Sequence, residues 1–556
     1  MPNSLESELT WDDAKSLGAF YTDTQVAEFL VWWAVRSASD TVLDPSFGGG
    51  VFLRAAAKRL ESFGGNSSSQ VFGVEVDDSV HERITRLLAD EFAIPRHNLT
   101  RSDFFASEPC DRNVKVVVGN PPFIRYQRFT GEVRERALRC AAQLGVSLSK
   151  LSSSWLPFLL HSIAHLRKGG RLAMVIPNEL TYANYAGPAL SFLQHSFSEV
   201  TFLTFQEKLF PHLSEDTLLL LAEGKGGGPA RFRWRDLPHP GRLADLQRMA
   251  LPIPKTRVLN ANRLSEGKER LIEYLLPAKA RTLYRELVAG NTAVALGEIA
   301  DVGIGYVTGA NDYFHLSSAA AASLSIPPSF LRPALRRGRS LDAVCFNEYD
   351  LQNAITSGDA SYLLYIKPQD ALPASVRRYI EQGEKAGIPN AYKCRARKPW
   401  YCVPQVYSAD AFLSYMSGMT PKLVSNDTLA VAPNSLHVLR MHESSTTSKH
   451  ELAARWQTSL TRLSCEIEGH SLGGGMLKLE PTEAERVLIP APRSAVKAAL
   501  ANELDLISRT KGEDAARHHA DSILLRRGLG LSSSDCALLR QAATCLLERR
   551  YQRGAA

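Results

Sequence analysis

The sequence lacks two features that would place the chain in or across a membrane. It contains no run of the about 18 apolar residues that a membrane-spanning helix requires. Its first residues, MPNSLESELTWDD, are acidic and have no apolar core, so they do not resemble a secretory signal peptide. We therefore expect no membrane partner and predict a cytoplasmic protein.

The chain is also poor in cysteine patterns. Its eight cysteines are scattered, and none belongs to a Cys-x-x-Cys pair. This spacing argues against a zinc site and against a disulfide framework, and it fits a reducing compartment. The sequence therefore predicts no metal.

Charge is unevenly distributed along the 556 residues. Residues 1–228 carry a net charge of −4, whereas residues 229–556 carry +11. A basic second half is typical of a domain that meets a polyanion. The alternative is a solvated basic surface, which is common.

Alternating short apolar strands and amphipathic helices fill the first 225 residues. This pattern predicts an α/β fold with a doubly wound, mostly parallel sheet. Residues 200–205 and 217–222 are joined by a short loop and predict an antiparallel hairpin at the sheet edge. A Gly-rich segment at 223–229 reads as a linker. We expect three parts: a catalytic domain at 1–225, a mixed α/β domain at 230–492 and a helical segment at 493–556.

A Gly-rich turn follows the first predicted strand and opens a helix. Asp44 ends the strand, and Gly48 and Gly50 precede the helix. Glycines there allow a ligand close to the backbone, although the spacing fits neither a P-loop nor Gly-x-Gly-x-x-Gly. Glu75 ends the second strand, where a carboxylate can accept hydrogen bonds from two ribose hydroxyls. Asp77, two residues on, reads rather as a helix cap.

A third polar strand end carries Asp103 and Phe104. The carboxylate could accept a hydrogen bond from an adenine amine, and the ring could flank the base. The alternatives are a helix N-cap for Asp103 and core packing for Phe104.

Asn120-Pro121-Pro122-Phe123 follows the apolar run at 114–118. The two prolines fix the turn and lack N–H groups, so carbonyl oxygens stay unclaimed. Asn120 adds a side-chain acceptor and Phe123 adds a π-face. Two acceptors and a ring suit a planar base that bears an exocyclic amine. The alternative is an ordinary turn that ends a strand.

Taken in order, these motifs resemble the class I S-adenosylmethionine-dependent DNA adenine methyltransferases of the gamma, TaqI-like class. Residues 18–22 resemble motif X, with Asp23 where that family usually has proline. Residues 154–158 and 168–177 resemble motifs V and VI, and residues 209–211 resemble motif VIII. The resemblance implies S-adenosylmethionine as cofactor, held by Tyr21, Thr22, Asp44, Pro45, Gly48, Gly50, Glu75, Val76, Asp103, Phe104 and Asn120.

The same resemblance implies a mechanism. Asn120, Pro121, Pro122 and Phe123 would form the catalytic motif, in which the Asn120 oxygen and the Pro121 carbonyl hold both N–H bonds of the adenine amine. The lone pair would then point at the sulfonium methyl group, which is catalysis by positioning. The adenine would be flipped out of the duplex and stacked between Phe123 and Phe210.

The resemblance also implies that the basic domain recognises a target in double-stranded DNA. Two clusters supply candidate contacts, since arginine can bind guanine edges and either cation can bind phosphate. They are Arg332, Arg336, Arg337 and Arg339, and Lys393, Arg395, Arg397 and Lys398. Each cluster also fits a solvated surface.

We expect a bacterial or archaeal, nucleoid-associated enzyme of a restriction–modification or phage-defence system, with a separately encoded nuclease or defence-complex subunit as partner. Because only a short stretch precedes motif X, we expect no nuclease domain before it. Two alternatives stay open. One is an RNA or protein-glutamine methyltransferase, because a side-chain amide and an aminopurine present similar N–H groups. The other is a non-catalytic DNA-binding subunit.

Overall fold

The structure, a computed structural model, describes residues 22–108, 113–124, 127–149, 152–182, 186–211, 216–249, 251–358, 360–492 and 499–555. The chain divides into two compact units between Leu275 and Leu276. Among the described residues, no helix is long and apolar enough to span a membrane.

The first unit is built on one nine-stranded sheet with the order β3-β2-β1-β4-β5-β7-β6-β8-β9. The first five strands in this order, β3, β2, β1, β4 and β5, pair with their neighbours in parallel. Strand β7 runs antiparallel to both β5 and β6. The predicted mostly parallel sheet is confirmed. Its strands are β1 Val42–Asp44, β2 Val71–Glu75, β3 Leu99–Arg101, β4 Val114–Gly119, β5 Leu166–Pro177, β6 Glu199–Phe205, β7 Thr217–Glu223, β8 Arg231–Leu237 and β9 Arg257–Val258.

Helices cover both faces of this sheet. In β4, Val117 contributes to one hydrophobic cluster, while its neighbours Val116 and Val118 contribute to the other. Because successive side chains of a strand point to opposite faces, this alternation places a core on each side. The helices of this unit are α1 Thr24–Ala34, α2 Val51–Ser62, α3 Ser67–Gln70, α4 Asp78–Phe92, α5 Gly131–Gln143, α6 Trp155–Ala164, α7 Ala186–Ser196, α8 Arg242–Gln247 and α9 Ala261–Ser265.

Two features of the predicted layout are corrected. The hairpin of β6 and β7 forms, but it lies inside the sheet because β8 pairs in parallel with β6 and β9 pairs with β8. The Gly-rich segment at 223–229 is consequently the connection between two strands of one sheet. The boundary between the compact units lies at Leu275–Leu276 instead of at residues 225–230. Glycine-rich composition marked a tight connection, not a change of domain.

The second unit is mixed α/β, as predicted. Its largest sheet has five strands in the order β11-β19-β16-β18-β14, and three smaller sheets join β12-β15-β13, β17-β21-β20 and β10-β22. The strands are β10 Ala293–Ala295, β11 Ala300–Ile304, β12 His315–Leu316, β13 Leu331–Leu335, β14 Cys345–Phe346, β15 Ala360–Leu364, β16 Ala411–Ser414, β17 Met416–Ser417, β18 Leu423–Asn426, β19 Leu436–Met441, β20 His470–Ser471, β21 Leu477–Lys478 and β22 Leu488–Pro490.

The helices of the second unit include the predicted helical end of the chain. They are α10 Ala278–Ala289, α11 Asn311–Phe314, α12 Ser318–Ser323, α13 Glu348–Thr356, α14 Ala374–Lys385, α15 Tyr392–Arg395, α16 Lys449–Trp456, α17 Ser459–Glu468, α18 Pro481–Ala484, α19 Ala499–Lys511, α20 Glu513–Ala520 and α21 Ser533–Ala555. Leu500 and Leu504 of α19 pack into the same core as Leu413 of β16. The helical end therefore belongs to the second compact unit and is not a separate part.

Candidate active site at the carboxyl ends of the strands

Three predicted site residues meet where neighbouring parallel strands end. Asp44 ends β1, Glu75 ends β2, and Asn120 follows β4 directly. Strand β1 pairs with β2 on one side and with β4 on the other. The three side chains therefore share the carboxyl edge of the sheet, which is where ligands bind in folds of this kind.

Glu75 organises the Gly-rich turn. Its Oε2 accepts a hydrogen bond from the Gly48 amide at 2.9 Å. Its Oε1 accepts from the amides of Val76 at 2.8 Å and Asp77 at 2.9 Å. A carboxylate has about four acceptor positions, so three are already used. Asp77 caps α4 by accepting from the Val80 amide, which confirms its predicted role as a cap.

The two glycines of the turn have different reasons to be glycine. Both have positive φ, +45° at Gly48 and +74° at Gly50. A Cβ on Gly50 would lie 2.7 Å from Ile84 Cγ2, so this glycine permits packing against α4. A Cβ on Gly48 would meet no atom within 4 Å. The space beside Gly48 is therefore open to a ligand.

Asp44 is a buried carboxyl group that is only half satisfied. It is fully buried, and its Oδ1 accepts from the Ser46 amide at 3.1 Å. Within the described part of the chain, its Oδ2 has no hydrogen-bond partner. Burial raises the pKa of Asp44 to about 8, and the nearby charge of Glu75 adds to the rise, although the Ser46 amide opposes it. The site would therefore favour a cation beside Asp44.

Asn120 is oriented by a residue 98 positions earlier. Its Nδ2 donates to the Thr22 hydroxyl at 3.2 Å. This orientation leaves Oδ1 buried and without a partner among the described residues. An unmet buried acceptor costs free energy unless a ligand supplies a donor. Thr22 thus lies beside Asn120, while Tyr21 lies outside the described residues.

The loop after Asn120 is held by Ser154, next to the start of α6. The Ser154 hydroxyl donates to the Pro122 carbonyl at 2.5 Å, and the same oxygen accepts from the Ile124 amide at 2.8 Å. The Ser154 amide also donates to the Ile124 carbonyl. The sequence placed Ser154 in a motif but assigned it no role. Its signal is a hydroxyl residue just before an apolar helix, which alone reads as a helix cap.

The two predicted stacking rings share one hydrophobic cluster. Phe123 is half-buried and packs against the clusters on both faces of the sheet. Phe210 is 8% exposed and belongs to the cluster that also contains Phe205 and Leu209. Phe123 is therefore the more exposed of the two rings.

Asp103 makes the contacts of a helix N-cap, and Phe104 makes those of a core residue. Asp103 caps the short helix Phe104–Ala106 through the Phe105 amide and pairs with Arg136 at 2.7 Å. Phe104 is 3% exposed and packs against the rings of Phe158 and His161, with centroids 4.9 and 4.7 Å away. Phe104 is thus a core residue, which corrects its predicted place against the cofactor ring.

Val76 stands out at this edge because its side chain is 67% exposed next to the buried Glu75. An exposed β-branched apolar residue beside an open turn is suited to cover the face of a planar ligand. The resemblance named Val76, but its exposure could not be known from sequence.

The basic candidates of the second unit fall into two groups. Arg397 is half-buried and donates to the carbonyls of Val307 and Thr308, so it holds a loop. Arg332 donates to the Leu331 carbonyl at 3.0 Å and lies over the Tyr365 ring. Arg336 is also half-buried. The exposed candidates are Arg337, Arg339, Lys393, Arg395 and Lys398.

Comparison with known families matches both units. Residues 5–191 match the family described as N-6 DNA Methylase. Residues 268–525 match the C-terminal domain of the type II methyltransferase M.Eco57I. The second match begins close to the boundary between the compact units at Leu275–Leu276.

Two similar proteins match this chain over most of their own length. The type II methyltransferase M.AccI of Acinetobacter calcoaceticus is 22% identical over 497 residues, covering 87% of this chain and 88% of the relative. M.XamI of Xanthomonas campestris pv. amaranthicola is 23% identical and covers 86% of each. Among solved structures, the type IIL restriction-modification enzyme MmeI in complex with DNA aligns with a TM-score of 0.55 and 11% identity, covering 97% of this chain and 80% of that chain.

Proposed function

We propose that this chain, which belongs to the N6-adenine DNA methyltransferases, transfers the methyl group of S-adenosylmethionine to the N6 amine of an adenine flipped out of duplex DNA. The observation that carries this proposal is the Oδ1 atom of Asn120 at the end of β4, which is buried and has no hydrogen-bond partner among the described residues. It supplies the acceptor that an exocyclic amine needs.

The adenine amine is a weak nucleophile because its lone pair is delocalised into the ring. Asn120 Oδ1 and the Pro121 carbonyl, accepting one N–H bond each, would favour a tetrahedral nitrogen with a directed lone pair. Ser154 engages the neighbouring Pro122 carbonyl, which supports a turn of one fixed shape. The contribution is positioning and preorganised electrostatics, since no general base is required.

The residues at the strand ends fit the proposed cofactor. S-adenosylmethionine supplies an electrophilic methyl group on a cationic sulfur. The open space beside Gly48 and the exposed Val76 suit an adenosyl group. The Oδ2 atom of Asp44, which has no partner in the described ranges, suits a cationic group, and the remaining acceptor position of Glu75 suits a ribose hydroxyl. Each of these assignments is a proposal that the geometry supports.

Double-stranded DNA is the proposed substrate. Inside a duplex the N6 amine of adenine is inaccessible, so the base would have to flip out. Phe123 is the better candidate for stacking, because it is only half-buried, whereas Phe210 is almost fully buried, with 8% of its surface exposed. The exposed Lys393, Arg395 and Lys398 would contact phosphates. We further propose that the methylation protects host DNA from a separately encoded nuclease, because the similar proteins are named type II methyltransferases.

The test is sequencing, with modified-base detection, of DNA from cells that express the chain. We expect N6-methyladenine at one recognition sequence, and the same cells carrying Asn120→Ala should show none. In parallel, transfer of radiolabelled methyl groups to DNA, to RNA and to a glutamine-containing protein would separate the alternatives. Methylation of RNA or protein alone would contradict the proposal, as would DNA methylated equally by the Asn120 variant.

A further inference from the structure

Three side chains that commonly bind metals meet in the second unit. Cys345 begins β14, Asp427 follows β18, and His450 lies in α16. One ligand atom of each side chain lies within 4.8 Å of the other two, and among the described residues no other three such side chains gather this closely. The residues are 82 and 23 positions apart in sequence, so spacing motifs cannot reveal them.

The backbone fixes two of these residues against each other. Strands β14 and β18 are parallel, with Cys345 opposite Ser425 and Phe346 opposite Asn426. The Asp427 amide donates to the Phe346 carbonyl at 2.9 Å, which extends the pairing by one residue. Cys345 and Asp427 are therefore brought together by ladder hydrogen bonds, not by flexible side chains alone.

The third residue faces the carboxylate directly. His450 Nε2 lies 3.0 Å from Asp427 Oδ1 and 3.1 Å from Oδ2. Helix α16 is anchored at its start by Ser448, whose hydroxyl accepts from the Glu451 amide. A capped helix thus presents the imidazole to Asp427, and the rotation of one side chain can adjust the distance to Cys345.

Burial is graded across this cluster. Cys345 is 5% exposed, whereas the side chains of Asp427 and His450 are 33% and 28% exposed. In a parallel pair, residues in register lie on the same face of the sheet, which puts Ser425 beside Cys345. Ser425 is buried, and its hydroxyl shares a hydrogen bond with the Cys345 thiol. It is available to donate to a metal-bound thiolate.

We propose that Cys345, Asp427 and His450 bind a divalent transition-metal ion, zinc by preference, with water in the fourth position. Thiolate, imidazole and carboxylate are the ligands that zinc accepts, at distances of about 2.0–2.3 Å. Tetrahedral geometry at those distances requires ligand atoms about 3.3–3.8 Å apart. Because the ligand atoms lie within 4.8 Å of one another, the longest separation would have to shorten by up to about 1.5 Å, whereas His450 Nε2 and Asp427 Oδ1, 3.0 Å apart, would move slightly apart. The partly exposed side would admit the water.

Lys449 occupies the position of a competitor. Its Nζ lies 2.8 Å from Asp427 Oδ1 and donates to the Asn426 carbonyl. This ammonium supplies positive charge to Asp427 when no metal is bound. A bound dication would take over that task, so removal of the ammonium should strengthen metal binding.

The proposal is independent of the methylation reaction and can be tested with Co²⁺ as the probe. Titration of the full chain with Co²⁺ should produce a thiolate-to-cobalt charge-transfer band and the visible bands of tetrahedral cobalt. Added Zn²⁺ should bleach both. Cys345→Ser should remove the charge-transfer band, His450→Ala should weaken binding at least about tenfold, and Lys449→Gln should tighten it.

Cys536→Ser is the matched control, because Cys536 is another buried cysteine of the same unit and is 1% exposed. Its titration should equal that of the unchanged chain. Thermal unfolding without metal should show that each variant is folded, and Zn²⁺ should raise the unfolding temperature of the unchanged chain but not that of folded Cys345→Ser. If Cys345→Ser or His450→Ala fails to fold, the Co²⁺ titration of Lys449→Gln still tests the proposal, because this variant should bind the metal more tightly than the unchanged chain. A titration without a charge-transfer band in the unchanged chain, or a band that survives in folded Cys345→Ser, would overturn the proposal.

Discussion

The hydroxyl of Ser154 donates to the carbonyl oxygen of Pro122 at 2.5 Å, which couples the start of α6 to the turn that ends β4. The same oxygen receives the Ile124 amide at 2.8 Å. The Ser154 hydroxyl thus satisfies the Pro122 carbonyl and the Ile124 amide, which lie on either side of Phe123. The proposed catalytic turn is therefore supported from a helix that does not itself supply a reacting group.

Ser154→Ala should lower the methylation rate about tenfold at saturating substrate, because the turn loses its anchor while the acceptors stay present. The stability cost should be about 1 kcal/mol, the usual net worth of a buried hydrogen bond. Cofactor affinity, measured by calorimetry, should stay unchanged. Ser154→Thr should restore most of the rate because it keeps the hydroxyl, and an equal loss in both variants would argue against this role.

Asn120→Ala should reduce methylation about a hundred- to a thousand-fold, as for removal of a preorganised hydrogen-bonding group. The variant should still bind S-adenosylmethionine nearly as tightly. It should lose only about 1 kcal/mol of stability, because the hydrogen bond from Nδ2 to Thr22 is lost while Oδ1 has no partner among the described residues. Single-turnover rates and cofactor titration would be measured on the same preparation. Full activity in this variant would contradict the mechanism.

Phe123→Ala should cost far more activity than Phe123→Tyr or Phe123→Trp. Stacking on a flipped base is worth roughly 1–3 kcal/mol, or about a five- to 150-fold change in affinity. The measurement is binding of duplex DNA that carries an abasic or mismatched target, compared with intact duplex. If all three substitutions cost the same, stacking is not what Phe123 supplies.

Asp44 should make the stability of the cofactor-free protein depend on pH. Its pKa is raised from 3.8 to about 8 in the folded chain, so the folded state holds this proton more tightly than the unfolded state does. The contribution of protonated Asp44 to the free energy of unfolding is fully present below about pH 4 and is lost as the pH rises towards 8. Urea unfolding across this range should show a smaller decline for Asp44→Asn. An identical decline in both proteins would show that other groups cause it.

Substitutions in the basic cluster of the second unit should separate a structural residue from surface cations. Arg397→Ala should destabilise the unit by about 2 kcal/mol, because the carbonyls of Val307 and Thr308 lose their donor. Lys393→Ala and Arg395→Ala should leave stability unchanged. Each should reduce the slope of log affinity for duplex DNA against log salt by about one. Unchanged slopes would place the DNA contact elsewhere.

Much of the first unit follows from local pattern. The apolar run at β4 and the polar residues that follow β1 and β2 are set by a two-residue period and by strand-ending residues, which act over a few positions. Burial is not local. Phe104 reads equally as a ligand contact or as core, and only the packing of Phe158 and His161 against it decides for core.

By itself, the sequence determined the parallel sheet, the turn from Asp44 to Gly50 and the identity of the Asn120–Phe123 motif, because each depends on neighbours along the chain. Tertiary structure decided what long-range contacts control. It placed the unit boundary at Leu275–Leu276 by adding β8 and β9 to the first sheet. It also left Asn120 Oδ1 without a partner in the part of the chain that the structure describes, and it brought Cys345, Asp427 and His450 together. Such proximity arises from strand order and helix packing, which no short segment encodes.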